Sequence, residues 1–99
     1  ATNSAKVTAS YLTVSGGTAN GKCLFYVNSS TMSVSNCDIT VGTVTTASSF
    51  NGIFYNEKST LTLTNGTINA NNTRVVYEVG DTTTATTTIT GTTIIGSIS

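Results

Sequence analysis

The chain has no proline, no tryptophan and no histidine, and very little charge. Each shortage closes off a class of function. Four Lys plus Arg balance four Asp plus Glu, so no net field exists to hold a phosphate backbone or an anionic lipid surface, and nucleic acid is not an expected partner. Charged residues are 8% of the chain, against about 25% in ordinary soluble domains. With no histidine, two cysteines and four scattered acids, no side chains stand at metal-ligand or nucleophile spacing, and neither a metal nor another cofactor is expected. No apolar run approaches the ~18 residues of a spanning helix, so membrane insertion is not expected. The chain opens at Ala1 without a basic, apolar leader. If it is secreted, its signal peptide has been removed.

What the chain has in abundance is hydroxyl: 23 Thr and 12 Ser in 99 residues. It also repeats itself. Residues 52–68, GIFYNEKSTLTLTNGTI, align without a gap under residues 23–39, CLFYVNSSTMSVSNCDI, with Leu24 over Ile53, Tyr26 over Tyr55, Val34 over Leu63 and Ile39 over Ile68. Residues 75–94 align once four extra residues are admitted, and residues 11–19, YLTVSGGTA, read as a half-copy. Repeats of this length indicate units that bury their apolar faces only against their neighbours. A single solenoid domain is expected over 1–99, with coils across 11–94, residues 1–10 as an N-terminal edge or covering strand, and 95–99 as a terminal edge strand.

The recurring period is two. Leu12 and Val14, Met32 and Val34, Leu61 and Leu63, and Thr87 and Ile89 each flank a hydroxyl, the half-buried strand pattern in β-branched residues. No helical spacing is sustained, so the class is all-β. Successive copies are offset by 20 (Val14 to Val34), 29 (Val34 to Leu63) and 26 residues (Leu63 to Ile89), with the loops 42–51 and 80–83 absorbing the variation. The alignment predicts inward columns Leu12/Met32/Leu61/Thr87, Val14/Val34/Leu63/Ile89, Ala19/Ile39/Ile68/Ile94 and Phe25/Phe54/Val76, stacked about 4.8 Å apart. Asn36 superposes on Asn65 at a turn, where an Asn ladder satisfies backbone groups.

Gly52-x-Phe54-Tyr55-Asn56, followed by Ser59-Thr-Leu-Thr-Leu-Thr-Asn-Gly-Thr-Ile68, resembles the repeats of right-handed parallel β-helices. The likeness is to bacterial surface adhesins and polymorphic outer-membrane proteins with a pectin-lyase-like fold. It covers roughly residues 11–94 and implies about four coils with uncapped ends. It implies little about activity, since that fold carries lyases, adhesins, phage spikes and inert surface proteins.

Five features bear on function. Of the acids, Asp38 aligns with Thr67, Glu57 with Asn28 and Glu78 with Asn56, and Asp81 falls in a loop, so no two share a column. Glycosidase chemistry needs a carboxylate pair roughly 5–9.5 Å apart on one face, and an enzyme is not expected. Second, if Phe25, Phe54 and Val76 point inward, Leu24, Ile53 and Val75 point outward beside Tyr26, Tyr55 and Tyr77. Such a doubly apolar strand is expected to be covered, by residues 1–10 or by another subunit. A sugar-binding tyrosine ladder is a further option. Third, outward hydroxyls form a ladder of Thr13, Ser33, Thr62 and Thr88 beside Ser35, Thr64 and Thr90. It resembles the ice-binding face of antifreeze solenoids, though Tyr11 interrupts it in the first coil.

Fourth, Cys23 and Cys37 are expected to form a disulfide across a corner, worth about 3 kcal/mol of loop closure, with an intersubunit bond or two free thiols as the alternatives. With the sequons at Asn28, Asn65 and Asn71, which are candidate glycosylation sites, this suits an extracellular or cell-surface setting. Fifth, no capping helix is readable at either end. These residues are either cut from a longer adhesin or autotransporter passenger, or they form a subunit whose last coil stacks on the first coil of the next. The expected function is non-enzymatic: an extracellular β-solenoid subunit that is its own partner, stacking head to tail into a filament or surface fibre through Lys6, Val7, Leu12 and Val14 at one end and Ile89, Ile94, Ile95 and Ile98 at the other. Ice binding or glycan adhesion is the alternative.

Overall fold

The computed structural model describes residues 4–16, 18–19, 21–44, 50–80 and 84–98. Asp81 and the rest of segment 81–83, loop residues 45–49 and Ser99 lie outside the described residues. The described residues form twelve strands and no helix: β1 Lys6–Ser10, β2 Thr13–Val14, β3 Thr18–Ala19, β4 Cys23–Asn28, β5 Thr31–Ser35, β6 Asp38–Thr40, β7 Thr43–Val44, β8 Gly52–Glu57, β9 Thr60–Thr64, β10 Thr67–Val79, β11 Thr86–Thr90 and β12 Thr93–Ile98. Every pairing is parallel. One sheet runs β1-β5-β9-β11, a second runs β2-β6-β10-β8-β4 with β12 also on β10, and β3 pairs β7. The chain is a parallel β-solenoid of about three turns, one fewer than the repeats predict. The first coil supplies β1, β2 and β3, but no described strand lies over β4.

Alternation explains the strands. In β5 and β9 the apolar residues Met32, Val34, Leu61 and Leu63 are buried and the hydroxyls between them are not. They stack in register, Met32 on Leu61 and Val34 on Leu63. Phe25 pairs with Phe54 and Phe54 with Val76, while Ile39 pairs with Ile68 and Ile68 with Ile94. Each match read from the second, third and fourth copies holds.

Corners are made by left-handed residues. Tyr11, Asn36 and Asn65 have φ of 56°, 54° and 53°, and their amides donate across the stack to Ser35 O, Thr64 O and Thr90 O. Asparagine tolerates this conformation better than most residues. Ser4, Ser29 and Lys58 (φ 63°, 51° and 52°) form a second corner. Beside it, Ala5 N donates to Ser30 Oγ and Ser30 N to Ser59 Oγ, so two buried serines replace missing backbone acceptors.

The first coil corrects the predicted register. Val7 and Ala9, not Leu12 and Val14, stack on Met32 and Val34. Val14 pairs with Ile39 and Ala19 with Val44. The offset is 25 residues, as between Ser10 and Ser35, rather than 20. Leu-Thr-Val at 12–14 imitates Met-Ser-Val at 32–34, whereas the strand that stacks there contributes only a valine and an alanine. Nor do the described residues of 1–10 cover the Leu24 face, because Lys6–Ser10 is a strand of the first coil.

Candidate functional site

Two surfaces and two ends are the places where function can sit. The sheet β1-β5-β9-β11 turns its alternate side chains outward as three columns: Lys6/Thr31/Thr60/Thr86, Thr8/Ser33/Thr62/Thr88 and Ser10/Ser35/Thr64/Thr90. All positions but Lys6 carry a hydroxyl, and Ser10 Oγ lies 3.1 Å from Ser35 Oγ. Parallel strands set these hydroxyls about 4.8 Å apart across the sheet and about 6.6 Å apart along it. Thr13 leaves the ladder, since it pairs with Asp38 on the next face. Thr8 and Ser10 take the first-coil places, a substitution hidden by the register error. Tyr11 sits at the corner and does not interrupt the array.

The second surface is the tyrosine column. Tyr26, Tyr55 and Tyr77 stand with ring centroids 5.2 Å apart at each step and interplanar angles of 69° and 77°, the edge-to-face arrangement aromatic pairs favour. The Arg74 guanidinium lies 4.7 Å from the Tyr77 centroid, within cation–π range. Tyr26 Oη donates to Glu57 Oε1 at 3.2 Å. Burial, then the Glu57 hydrogen bond and charge, push the Tyr26 hydroxyl above its ordinary pKa. Burial and then the Glu57 charge raise Tyr55. Edge-on rings present no flat platform.

The aliphatic half of that surface is corrected. Ile53 and Val75 are fully buried within this chain's own core, together with Phe54 and Val76. Gly96 explains Val75: a β-carbon there would lie 3.0 Å from Val75 Cγ2 and from Ala70 Cβ, so β12 packs directly over it. Ile53 is held between the rungs of Leu24 and Val75. Only Leu24 and Tyr26, on the uncovered strand β4, remain exposed.

No protein-family model matches this chain, and no match was found among curated proteins or solved structures. Function is therefore read from its own surfaces.

Cys23 and Cys37 are free thiols, which overturns the expected disulfide. Cys23 begins β4 opposite Gly52, while Cys37 is buried at the corner after β5, its Sγ directed at Ser35 O (3.4 Å) and Ala9 O (3.7 Å). Two whole strands, β4 and β5, separate them along the coil. A disulfide needs Cα atoms within about 7 Å. Burial raises the Cys23 thiol pKa.

Asp38 is exposed and Glu57 and Glu78 are half-buried, in the register predicted, opposite Thr67, Asn28 and Asn56. Among the described residues no three His, Cys, Asp or Glu gather as a metal site. Of the sequons, Asn65 and Asn71 are exposed at left-handed positions, though the Asn71 amide donates to Val41 O at 2.8 Å. Asn28 accepts from Ser29 Oγ, and the third residue of its sequon, Ser30, is buried. Sequence reasoning missed Asn56, which is fully buried, donates to Thr86 O and Thr87 Oγ1 (both 3.1 Å), and leaves Oδ1 without a partner. Its neighbours in the column are Val27 and Glu78, a mixed column that carries no signal of burial in the sequence.

At the ends, the exposed large apolar side chains are Val7, Tyr11, Leu12, Leu24, Tyr26, Ile95 and Ile98. All belong to the first coil, to β4 or to β12.

Proposed function

We propose that the chain is a non-enzymatic extracellular structural module, a β-solenoid that stacks end to end into a filament or surface fibre. The observation that carries this reading is the placement of exposed apolar surface: among the described residues, the exposed large apolar side chains lie on the first coil, β4 and β12, and the middle rungs keep theirs buried or half-buried. An outermost parallel strand also presents unpaired N–H and C=O groups, a template for another strand. A head-to-tail contact of this kind extends because it does not close. The likeness of the repeats to surface-adhesin repeats is in keeping with such a role. Sedimentation of the purified chain across a wide concentration range, followed by electron microscopy, tests it. Concentration-dependent linear particles are expected, and uniform monomers at high concentration overturn it.

A second reading, ice binding, is favoured by the regular hydroxyl columns of β1-β5-β9-β11, which the corrected register extends into the first coil. A two-dimensional array at fixed spacing orders water at its surface. Thermal hysteresis that is lost in Thr62→Lys supports it, and a parent protein without hysteresis removes it.

A further inference from the structure

We propose that the groove beside β4 is the seat for Ile98 of a second copy of this chain, which gives the end-to-end stack a single register. The inference rests on the end-to-end reading and specifies its geometry.

The two ends form complementary steps. At the first, no described strand covers β4, and a groove of about 320 Å³ opens there, lined by Val7, Ala9, Leu24, Phe25, Tyr26 and Met32. Phe25 and Met32 belong to inward columns, so this groove is the solenoid interior laid open. At the other end, β12 runs past its own face. After Gly96 its register slips, so that Ser97 pairs with Arg74 and Ile98 with Val76. Ile98 thereby joins the column Phe25–Phe54–Val76 as the start of a strand, and it is 40% exposed. Among the described residues, one end shows no strand on this face and the other has begun one.

The remaining faces agree. When β1 of a second copy stacks on β11, Lys6 meets Thr86, Val7 meets Thr87 and Ala9 meets Ile89. The same offset sets Thr13 on Thr93 and Val14 on Ile94, pairing β2 with β12. Within the chain β5 and β6 give these residues Thr31, Met32, Val34, Asp38 and Ile39; the stack keeps the hydroxyl opposite Lys6 and the aliphatics opposite Ala9 and Val14, and sets threonines in place of Met32 and Asp38. Lys6 then faces a threonine, so no like charges meet. In that register Ile98 lies between Val76 of its own chain and Phe25 of the second copy. The occupant of the groove is an aliphatic side chain on a parallel strand, the chemistry its lining fits.

The test uses Thr8→Cys with Thr88→Cys in the full chain, with Cys23→Ser to remove the accessible thiol. Within one molecule β1 and β11 are three strand spacings apart, about 14 Å, beyond disulfide reach of about 7 Å between Cα atoms. Oxidation is expected to give a ladder of disulfide-linked multimers on a non-reducing gel, with little from Thr8→Cys/Thr90→Cys or from either single variant. Ile98→Glu, at an exposed position, is expected to leave a folded monomer whose assembly is at least tenfold weaker. Equal cross-linking in the shifted pair, dimers from the single variants, or assembly indifferent to Ile98→Glu overturns the register while leaving end-to-end stacking intact. Monomers at every concentration overturn both.

Discussion

The backbone carbonyl of Cys37 occupies the space that a β-carbon on Gly66 would take, with Cys37 N only 2.7 Å from that position. Gly66 is also left-handed, with φ of 72°. At this corner, therefore, the third coil can approach the second only without a side chain. Gly66→Ala is expected to lose on the order of 3 kcal/mol or to prevent folding, the neighbour being backbone that cannot swing aside. Urea denaturation followed by circular dichroism measures this. A loss below about 1 kcal/mol would contradict the close approach.

Burial separates two residues that the repeat makes equivalent. Ile53 is fully buried, while Leu24 in the rung before it is 38% exposed. Ile53→Ala should therefore cost roughly 2–5 kcal/mol through transfer and cavity. Leu24→Ala should cost less than about 1 kcal/mol in the monomer, where the site is already wet. Equal losses in the two variants would mean that Leu24 is covered in solution.

Asn56 donates to Thr86 O and Thr87 Oγ1 and so ties β8 to β11. Asn56→Asp replaces that donor with a carboxylate oxygen facing an acceptor in a fully buried position. Destabilisation on the order of 3 kcal/mol is expected at neutral pH. Burial raises the folded-state pKa of such an acid above its unfolded value of about 3.9, so the penalty grows as pH rises past that value and is relieved below it. Stability measured at pH 3 and pH 7 relative to the parent would reveal it, and a gap independent of pH would refute it.

Tyr26 and Tyr55 both titrate above their ordinary values, chiefly through burial and then through Glu57. The unfolded chain releases these protons first, so folded stability is complete below about pH 10 and falls as pH rises beyond it. Glu57→Gln removes the carboxylate charge and leaves the Tyr26 hydroxyl only a neutral amide oxygen to donate to. Its ultraviolet titration should show tyrosinate at lower pH than the parent. An unchanged curve would place Glu57 away from the column.

Both thiols should be counted as free in denaturant, with Cys37 protected from reagent until unfolding and Cys23 reacting slowly at neutral pH. Burial shields the first, and a raised pKa limits the thiolate of the second. A mass deficit of two hydrogens in the native protein would restore the disulfide.

The sequence by itself determined the fold class and the register of the second, third and fourth copies of the repeat. Each of those copies carries a period-two apolar pattern long enough that only one alignment sets Tyr26 on Tyr55, Val34 on Leu63 and Ile39 on Ile68. It did not determine the first coil, because Val7 and Ala9 are a weak apolar pair and Leu12-Thr-Val14 imitates a stronger one. Only the stack of neighbours, with its inter-coil hydrogen bonds, chooses between them. Tertiary structure likewise decided what is buried. Alternation gives each side chain a direction but not what lies beyond it, and Val75 is sealed by the approach of Gly96 from a strand twenty-one residues later. The same holds for Cys23 and Cys37: spacing permits a corner disulfide, and in the folded chain one begins β4 and the other lies buried at the corner after β5, both as free thiols.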